Sequence, residues 1–336
     1  MSLGRVLNMS NPLVSVLVPV YRVEAYIKRC AHSLFEQTYD NLEYIFCDDC
    51  TPDASMQVLD KVIAEYPNRA KQVHIIHHEL NRGNAAVRNT LLDKSKGVFL
   101  FWVDSDDWVE TNAVELLVAK QQETGADIVT GRAYAHMENK IIRCNDGWAL
   151  DKNTLMKEIV LCKCGATLWR RLIRKSLYLD NGIKCHEGVD GRVDYACIVP
   201  LLYYAQKVTG IDAIIYHYNM TNSHSMSYKY KNLAFQRNYL ESCRQISVFF
   251  EEKGEDHYFQ LCKEMIVKRA HDFMMIHFRN GYRKGYSSMV NYILESDKGY
   301  WYKIRWDKWV KRTMESNYYL MRLTYPIRKL QGILSI

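Results

Sequence analysis

The sequence predicts an α/β fold with a largely parallel sheet, followed by a helical C-terminal part. Three observations point there. Through the first half, short apolar and β-branched runs alternate with stretches of helical periodicity, the pattern of successive βα units. Several of those runs stop abruptly at polar or aromatic residues. Beyond about Asn222 the strand signals fade and longer helical stretches take over.

Residues 13–18 read as the first strand, closed by Pro19-Val20-Tyr21, with a helix over 25–37. Residues 44–47 form a second strand that ends in Asp48-Asp49. A helix follows over 54–66, with Asp53 as its expected N-cap. Residues 73–77 are a third strand, and a helix over 85–95 stops near Gly97. The fourth strand is 98–103, and the helix after it covers 111–124. Few motifs are visible between Ala126 and His186. Helices are expected over 232–253, 258–279 and 287–295, broken near Gly254 and between Gly281 and Gly285. The texture changes near residue 225, which divides the chain into an expected catalytic domain over 12–225 and a helical, basic and aromatic domain over 226–336.

A length of 336 residues allows one large catalytic domain plus an appendage, and 48% apolar residues can fill its core. The ten cysteines follow no zinc or disulfide spacing: Cys162-Lys163-Cys164 is C-x-C, with no second pair at ligand distance. They are expected to be buried thiols in a reducing compartment. Near the start, Asn8, Ser10, Asn11 and Pro12 interrupt the apolar residues, so no signal peptide is expected. No apolar run approaches the ~20 residues of a membrane-spanning helix. These features predict a cytoplasmic protein, soluble or held peripherally at the inner face of the plasma membrane.

The fourth strand carries the most informative feature. Val98-Phe-Leu-Phe-Trp-Val103 opens at once into Asp104-Ser105-Asp106-Asp107. Residues two apart on an extended segment project to the same side, so Asp104 and Asp106 can converge at a strand end. Two carboxylates suit a hard divalent cation that keeps some waters and shares phosphate oxygens with a substrate. An acidic turn is also an ordinary way to end a strand. The other strand ends tip the balance, because ligands of open α/β sheets bind outside the carboxyl ends of the strands. Those ends carry Tyr21, Asp48-Asp49 and Asp104-Ser105-Asp106, which implies one phosphate-and-metal site.

Assembled, these residues resemble family 2 glycosyltransferases of the bacterial cell-surface polysaccharide type. Ser15-Val-Leu-Val-Pro-Val-Tyr-Arg-Val-Glu24 is similar to the family opening SVIIPVYN-x-E. Gln37-Thr-Tyr39, Asp48-Asp-Cys-Thr-Pro-Asp-Ala-Ser55 and Asn81-Arg-Gly-Asn-Ala-Ala-Val-Arg-Asn89 follow in the family's order, then Gly97 and Asp104-Ser-Asp-Asp-Trp108. Leu168-Trp-Arg-Arg-Leu-Ile-Arg-Lys-Ser176 resembles the W-x-K-L-Y-R segment. Glu187-Gly188 through Asp194 falls at EG…ED, and Ser225-Met-Ser227 at S-x-S. The likeness covers residues 12–228.

The resemblance implies the GT-A fold, a Rossmann-like mixed sheet, and inverting transfer from a nucleotide-sugar donor, UDP-linked. It implies Mn²⁺ or Mg²⁺ as cofactor and a glycan or lipid-linked glycan as acceptor. By the same resemblance Pro19 and Tyr21 wall the base, Asp49 accepts a hydrogen bond from uracil, and Arg88 faces the nucleotide or orients Asp104. Asp104 touches ribose and metal, Asp106 holds the metal on the diphosphate, and Asp194 is the general base. Arg82 is a weaker candidate at the nucleotide, and His224 a weaker one at the metal. Read without the family, Arg88 is a solvated helix residue, Tyr21 an aromatic at the core rim, and Asp49 and Asp194 turn or cap residues.

Two departures stand out. Val193 replaces the glutamate that precedes the family's aspartate, which leaves Asp190 and Glu187 as rivals to Asp194. Cys50 stands where glycine, which suits a backbone at positive φ, is usual, so a reshaped turn is expected and the choice of nucleotide base is less firmly set. Both leave room for a non-catalytic nucleotide-sugar-binding or scaffold protein on the same fold. A nucleotidyltransferase would want a glycine-rich phosphate loop after the first strand, and Pro19-Val-Tyr-Arg22 has none.

Net charge is +7, and residues 298–336 account for it, with nine Lys or Arg against Asp307 and Glu315. Tyr300, Trp301, Tyr302, Trp306, Trp309, Tyr318, Tyr319 and Tyr325 interleave with those cations. A subdomain that packs its aromatics inward is the first reading. Contact with an anionic membrane surface is the second, and nucleic acid the least favoured.

Overall fold

The computed structural model describes residues 11–145, 147–189, 191–222, 225, 232–280, 282 and 284–289. The chain divides into two compact units, 1–228 and 229–336.

The first unit is built on a mixed sheet. Its strands are β1 (Val14–Val20), β2 (Leu42–Asp48), β3 (Val73–His77), β4 (Phe99–Trp102), β5 (Trp108–Val109), β6 (Ile128–Met137), β7 (Lys140–Arg143), β8 (Arg171–Arg174) and β9 (Val208–Asn219). They run in the order β3-β2-β1-β4-β8-β6-β9-β5, and β7 pairs with β6. The helices are α1 (Ile27–Phe35), α2 (Ser55–Glu65), α3 (Pro67–Ala70), α4 (Asn84–Lys94), α5 (Ala113–Thr124), α6 (Lys152–Val160), α7 (Ser176–Asp180) and α8 (Val193–Tyr204).

The expectation of a largely parallel sheet holds for one half only. β1 pairs parallel with β2 and β4, and β2 with β3, each reached through a helical crossover. Beyond β4 the sense changes: β8 is antiparallel to β4 and β6, β7 to β6, and β5 to β9. β6 and β9 alone pair parallel there. The long crossovers that parallel strands need are present between β1, β2, β3 and β4. β7, by contrast, follows β6 after two residues as a hairpin.

The parallel strands β1, β2 and β4 are apolar because both of their faces are covered, whereas the edge strand β3 is only partly buried. β2 is buried at all seven positions, and Val14, Val16, Leu17, Val18, Phe99, Leu100 and Phe101 are at most 1% exposed. β4 starts where it does because Gly97 lets two backbones close up. A Cβ there would lie 2.6 Å from Ser15 N. Gly97 N donates instead to Ser15 Oγ and to the buried carboxylate of Glu43.

The capping of α2 differs by one position from the expectation. The helix begins at Ser55 with Ala54 as its formal cap, and Asp53 acts from one residue earlier. Its carboxylate accepts from Ser55 N and Oγ, Thr51 Oγ1 and Glu24 N. That satisfies an otherwise orphaned helix donor and fastens the segment after β1 to the one after β2.

Cys50 adopts the left-handed backbone that favours glycine, at φ 55°. A side chain there costs roughly 1–2 kcal/mol of local strain. Cys50→Gly relieves it and gives back part through greater unfolded-chain entropy. The expected result is a gain of about 0.5–1 kcal/mol, read as a higher urea midpoint with an unchanged slope.

In the second unit, α9 (Leu233–Glu252) is capped by Asn232, whose side chain accepts from Ala234 N and Phe235 N. Gly254, at φ 69°, turns the chain into α10 (Asp256–Arg279). The two helices bury Tyr239 edge-on against Phe273, and a His277 Nε2–Gln236 Oε1 hydrogen bond of 2.7 Å links them. Residues 284–289 are helical; the rest of the expected helix over 287–295, and the whole of 298–336, lie outside the described residues. Among the described residues no helix is long and apolar enough to cross a membrane. None of the ten cysteines is in a disulfide, and seven are buried.

Candidate functional site

The site assembles at the carboxyl ends of β1, β2 and β4. The β1–β2 register sets Pro19 beside Cys47 and Val20 beside Asp48. Asp49 N then donates to Val20 O at 3.0 Å. Pro19, Tyr21 and Asp49 therefore meet at one point of the sheet rim. Tyr21 is 40% exposed, a large ring left open at a strand end, with the Arg22 guanidinium 5.4 Å from its centroid.

Asp49 is buried, and its carboxylate holds the loop that follows β3. Its Oδ1 accepts from His78 Nδ1 (2.8 Å) and Arg82 N (2.9 Å), and its Oδ2 from Gly83 N (2.8 Å). An ionised carboxylate only accepts and offers about four lone-pair sites, so Oδ2 keeps capacity for one further donor. Asp49 thus organises the loop that leads into α4, a task that the sequence did not predict.

α4 carries Arg88. The reading of a solvated helix arginine is corrected: Arg88 is 3% exposed, because α4 turns the consecutive residues Ala85, Ala86, Val87 and Arg88 inward. Its Nη2 lies 3.1 Å from Asp104 Oδ1 and 3.0 Å from Asp194 Oδ1. Burial opposes its charge, but Asp194 and then Asp104 hold its pKa above the ordinary arginine value. Nε and Nη1 have no partner among the described residues. Buried unsatisfied guanidinium donors are costly, and an anionic ligand would satisfy them.

Asp194 lies in the first turn of α8, where a carboxylate complements the helix dipole. Arg192, at φ 58°, turns the chain into that helix. Leu168 N donates to Asp194 Oδ2 at 3.0 Å. Val193 is 5% exposed and packs into the core. Of the rivals, Glu187 is ion-paired with Arg82 at 3.0 Å, and both are well exposed. Asp190 and His224 lie outside the described residues.

The acidic turn after β4 is held from β9. Asp106 Oδ2 accepts from Asn222 Nδ2 at 2.8 Å. Asp107, fully buried, accepts from the Tyr216 hydroxyl (2.6 Å) and from Asn219 N (2.7 Å). The same hydroxyl accepts from Asp104 N at 3.1 Å. Burial pushes the carboxyl of Asp104 up to about 7, Arg88 works against this, and Asp194 and Asp106 add to it. Asp106 is raised by burial, and Asp107 well raised by burial and by Asp106 and Asp104. Asp107, Tyr216, Asn219 and Asn222 were not foreseen. The third acid of the turn was the visible signal for Asp107; the other three pair with residues more than a hundred positions away.

A divalent cation fits this chemistry. Three carboxylates crowd one turn, so positive charge there would relieve their repulsion. Among the described residues no three His, Cys, Asp or Glu side chains are placed to hold one ion between them. Mg²⁺-type sites typically use one or two carboxylates and complete their shell with phosphate and water.

Residues 15–160 match the family model described as glycosyl transferase family 2. The glycosyltransferases GlyA and GlyG of Streptococcus pneumoniae serotype 4 are 38% identical over 127 residues and 36% identical over 129. Each match takes in 38% of this chain, with 18% of GlyA and 42% of GlyG. Chondroitin synthase of Escherichia coli is 27% identical over 186 residues, 55% of this chain and 26% of that protein. The chain therefore spans less than half the length of each of these curated relatives. Among solved structures, S. aureus TarS 1-349 in complex with UDP-GlcNAc superposes with a TM-score of 0.68 at 20% identity, covering 84% of this chain and 80% of that one. A mannosyltransferase from Pyrobaculum calidifontis, PcManGT, in complex with GDP-Man and Mn²⁺, gives 0.55 at 13% identity, covering 93% and 87%.

Proposed function

The chain carries a family 2 glycosyltransferase domain with the GT-A fold, and from that premise we propose an inverting, metal-dependent transfer of a sugar from a UDP-sugar. The acceptor is a hydroxyl of a growing surface glycan or a lipid-linked glycan. Residues 12–225 form the catalytic domain in this reading. Residues 226–336 serve the acceptor or a membrane surface.

One observation carries the proposal: the buried Arg88 guanidinium is shared by Asp104, from the donor-side turn, and Asp194, from the start of α8. Donor and base groups are thereby tied to one cation. Pro19 and Tyr21 wall the base, and Asp49 Oδ2 accepts from the uracil ring. Asp194 takes the proton of the acceptor hydroxyl as its oxygen attacks the anomeric carbon from the face opposite the leaving group. The carbon–oxygen bond to the diphosphate breaks, its electron pair stays on the phosphate oxygen, and the configuration inverts. Arg88 Nη1 and Nε provide donors for that developing charge. Asp104 and Asp106 would hold Mn²⁺ or Mg²⁺, which supplies charge neutralisation at the diphosphate. The nucleotide-sugars bound by the two structural neighbours, and the Mn²⁺ bound by one of them, support the same assignment.

Calorimetric titration with UDP, GDP, CDP and dTDP, each with and without Mn²⁺, tests this reading. UDP is expected to bind tightest, and only with the metal. Absence of binding by every nucleotide would remove the donor site and leave a scaffold on this fold.

A further inference from the structure

We propose that Tyr216 and Trp169 form a positioning brace that fixes the distance between the acidic turn 104–107 and Asp194. The proposal rests on the catalytic reading above and adds residues that the reading does not use.

Tyr216 is fully buried, and its hydroxyl is committed on both sides. It donates to Asp107 and accepts from Asp104 N, so one oxygen bridges the last and first residues of the turn. A hydroxyl has a single proton, and here that proton goes to a carboxylate. Asp107 is tied further by Asn219 N, and its own N–H donates to Asp104 O at 3.0 Å. A buried acid beside two others opposes folding unless it is fully hydrogen-bonded. What it provides is a turn with one shape.

The other end of the brace reaches the base. The Tyr216 ring stacks on Trp169 with centroids 4.6 Å apart and planes 17° from parallel. Trp169 is 7% exposed and stacks on Tyr218 as well. The residue before it supplies Leu168 N to Asp194 Oδ2. The connection from turn to base is thus one hydroxyl, one ring stack and one backbone amide. In-line attack needs donor and base aligned, and a shift of about 1 Å can cost on the order of 100-fold in rate.

The two ends predict different kinetic signatures. Tyr216→Phe keeps the ring stack and removes both turn bonds. It is expected to weaken UDP–Mn²⁺ binding about 10-fold and to lower kcat on the order of 100-fold, with acceptor KM unchanged. Trp169→Phe shortens the stack and leaves the turn bonds in place. It is expected to lower kcat about 10-fold with UDP–Mn²⁺ affinity preserved. Should Tyr216→Phe fail to fold, the kcat loss at constant affinity in Trp169→Phe carries the test. Wild-type kcat in a cooperatively folding Trp169→Phe, or wild-type UDP–Mn²⁺ affinity in Tyr216→Phe, overturns the brace and leaves the donor reading intact. A wild-type protein that binds no nucleotide, while the variants merely melt lower, removes the catalytic reading and reduces the contact to packing.

Discussion

Asp194→Asn is expected to lower kcat for sugar transfer by about 1,000-fold, within the range assigned to a positioned general base, while nucleotide and metal binding persist. The amide is isosteric and its oxygen can still accept from Leu168 N, which holds the start of α8 against the segment before β8. Arg88 loses one of its two carboxylates and keeps Asp104. What is removed is the basic oxygen, together with one negative charge facing Arg88. Turnover with acceptor and titration with UDP–Mn²⁺, measured on one preparation, separate the two effects. Turnover within a few-fold of wild type would move the base elsewhere, first to Glu187, which Arg82 now holds at the surface. Joint loss of binding and turnover would make Asp194 a counter-ion for Arg88 instead of a base.

The parts of this site that could be read in the sequence share a physical reason. β1, β2 and β4 are covered on both faces, so their apolar runs are dense and stop sharply, and the residues that stop them are the ones at the rim. Tyr21, Asp49, Asp104 and Asp106 fall there without any knowledge of pairing. The stretch from β6 to β9 resisted, in part because two of its strands carry weaker signals. β9 is buried outright at only three of twelve positions, and β7 at none. Its partners lie far off in sequence: β6 and β9 pair Ile128 with Val208. Tyr216 belongs to that strand, and nothing local marks its hydroxyl as the one that closes the acidic turn. Arg88 was reached through the family motif and not through its own pattern, for a different reason. On a helix, arginine usually faces water, and only the arrival of two carboxylates from β4 and α8 makes its burial affordable. Cys50 shows the converse, since a non-glycine residue in the sequence stands in left-handed backbone, at φ 55°.

Asp106→Asn is expected to abolish the metal dependence of UDP binding. Loss of a group that only supports a metal ligand costs about 10–100-fold in affinity, so loss of a ligand's charge should exceed that. The fold should hold, because the amide oxygen can still accept from Asn222 Nδ2. The pH dependence gives the argument a second edge. Burial raises the Asp104 carboxyl to about 7, far above its value of about 3.9 in an unfolded chain. Between those values the folded protein binds the extra proton, so metal-free stability should fall as pH rises through that window and level off above it. Metal competes for the same oxygens in their ionised form, so the stabilisation by Mn²⁺ should grow over the same range. Melting curves in chelator and in Mn²⁺, from about pH 5 to about pH 8, would show the two trends diverging. In Asp106→Asn the Mn²⁺ shift should vanish at every pH, and the metal-free trend should move to lower pH, because one repelling carboxylate next to Asp104 is gone. A metal-free melting temperature that rises with pH across that range would mean that Arg88 outweighs burial and keeps Asp104 ionised throughout.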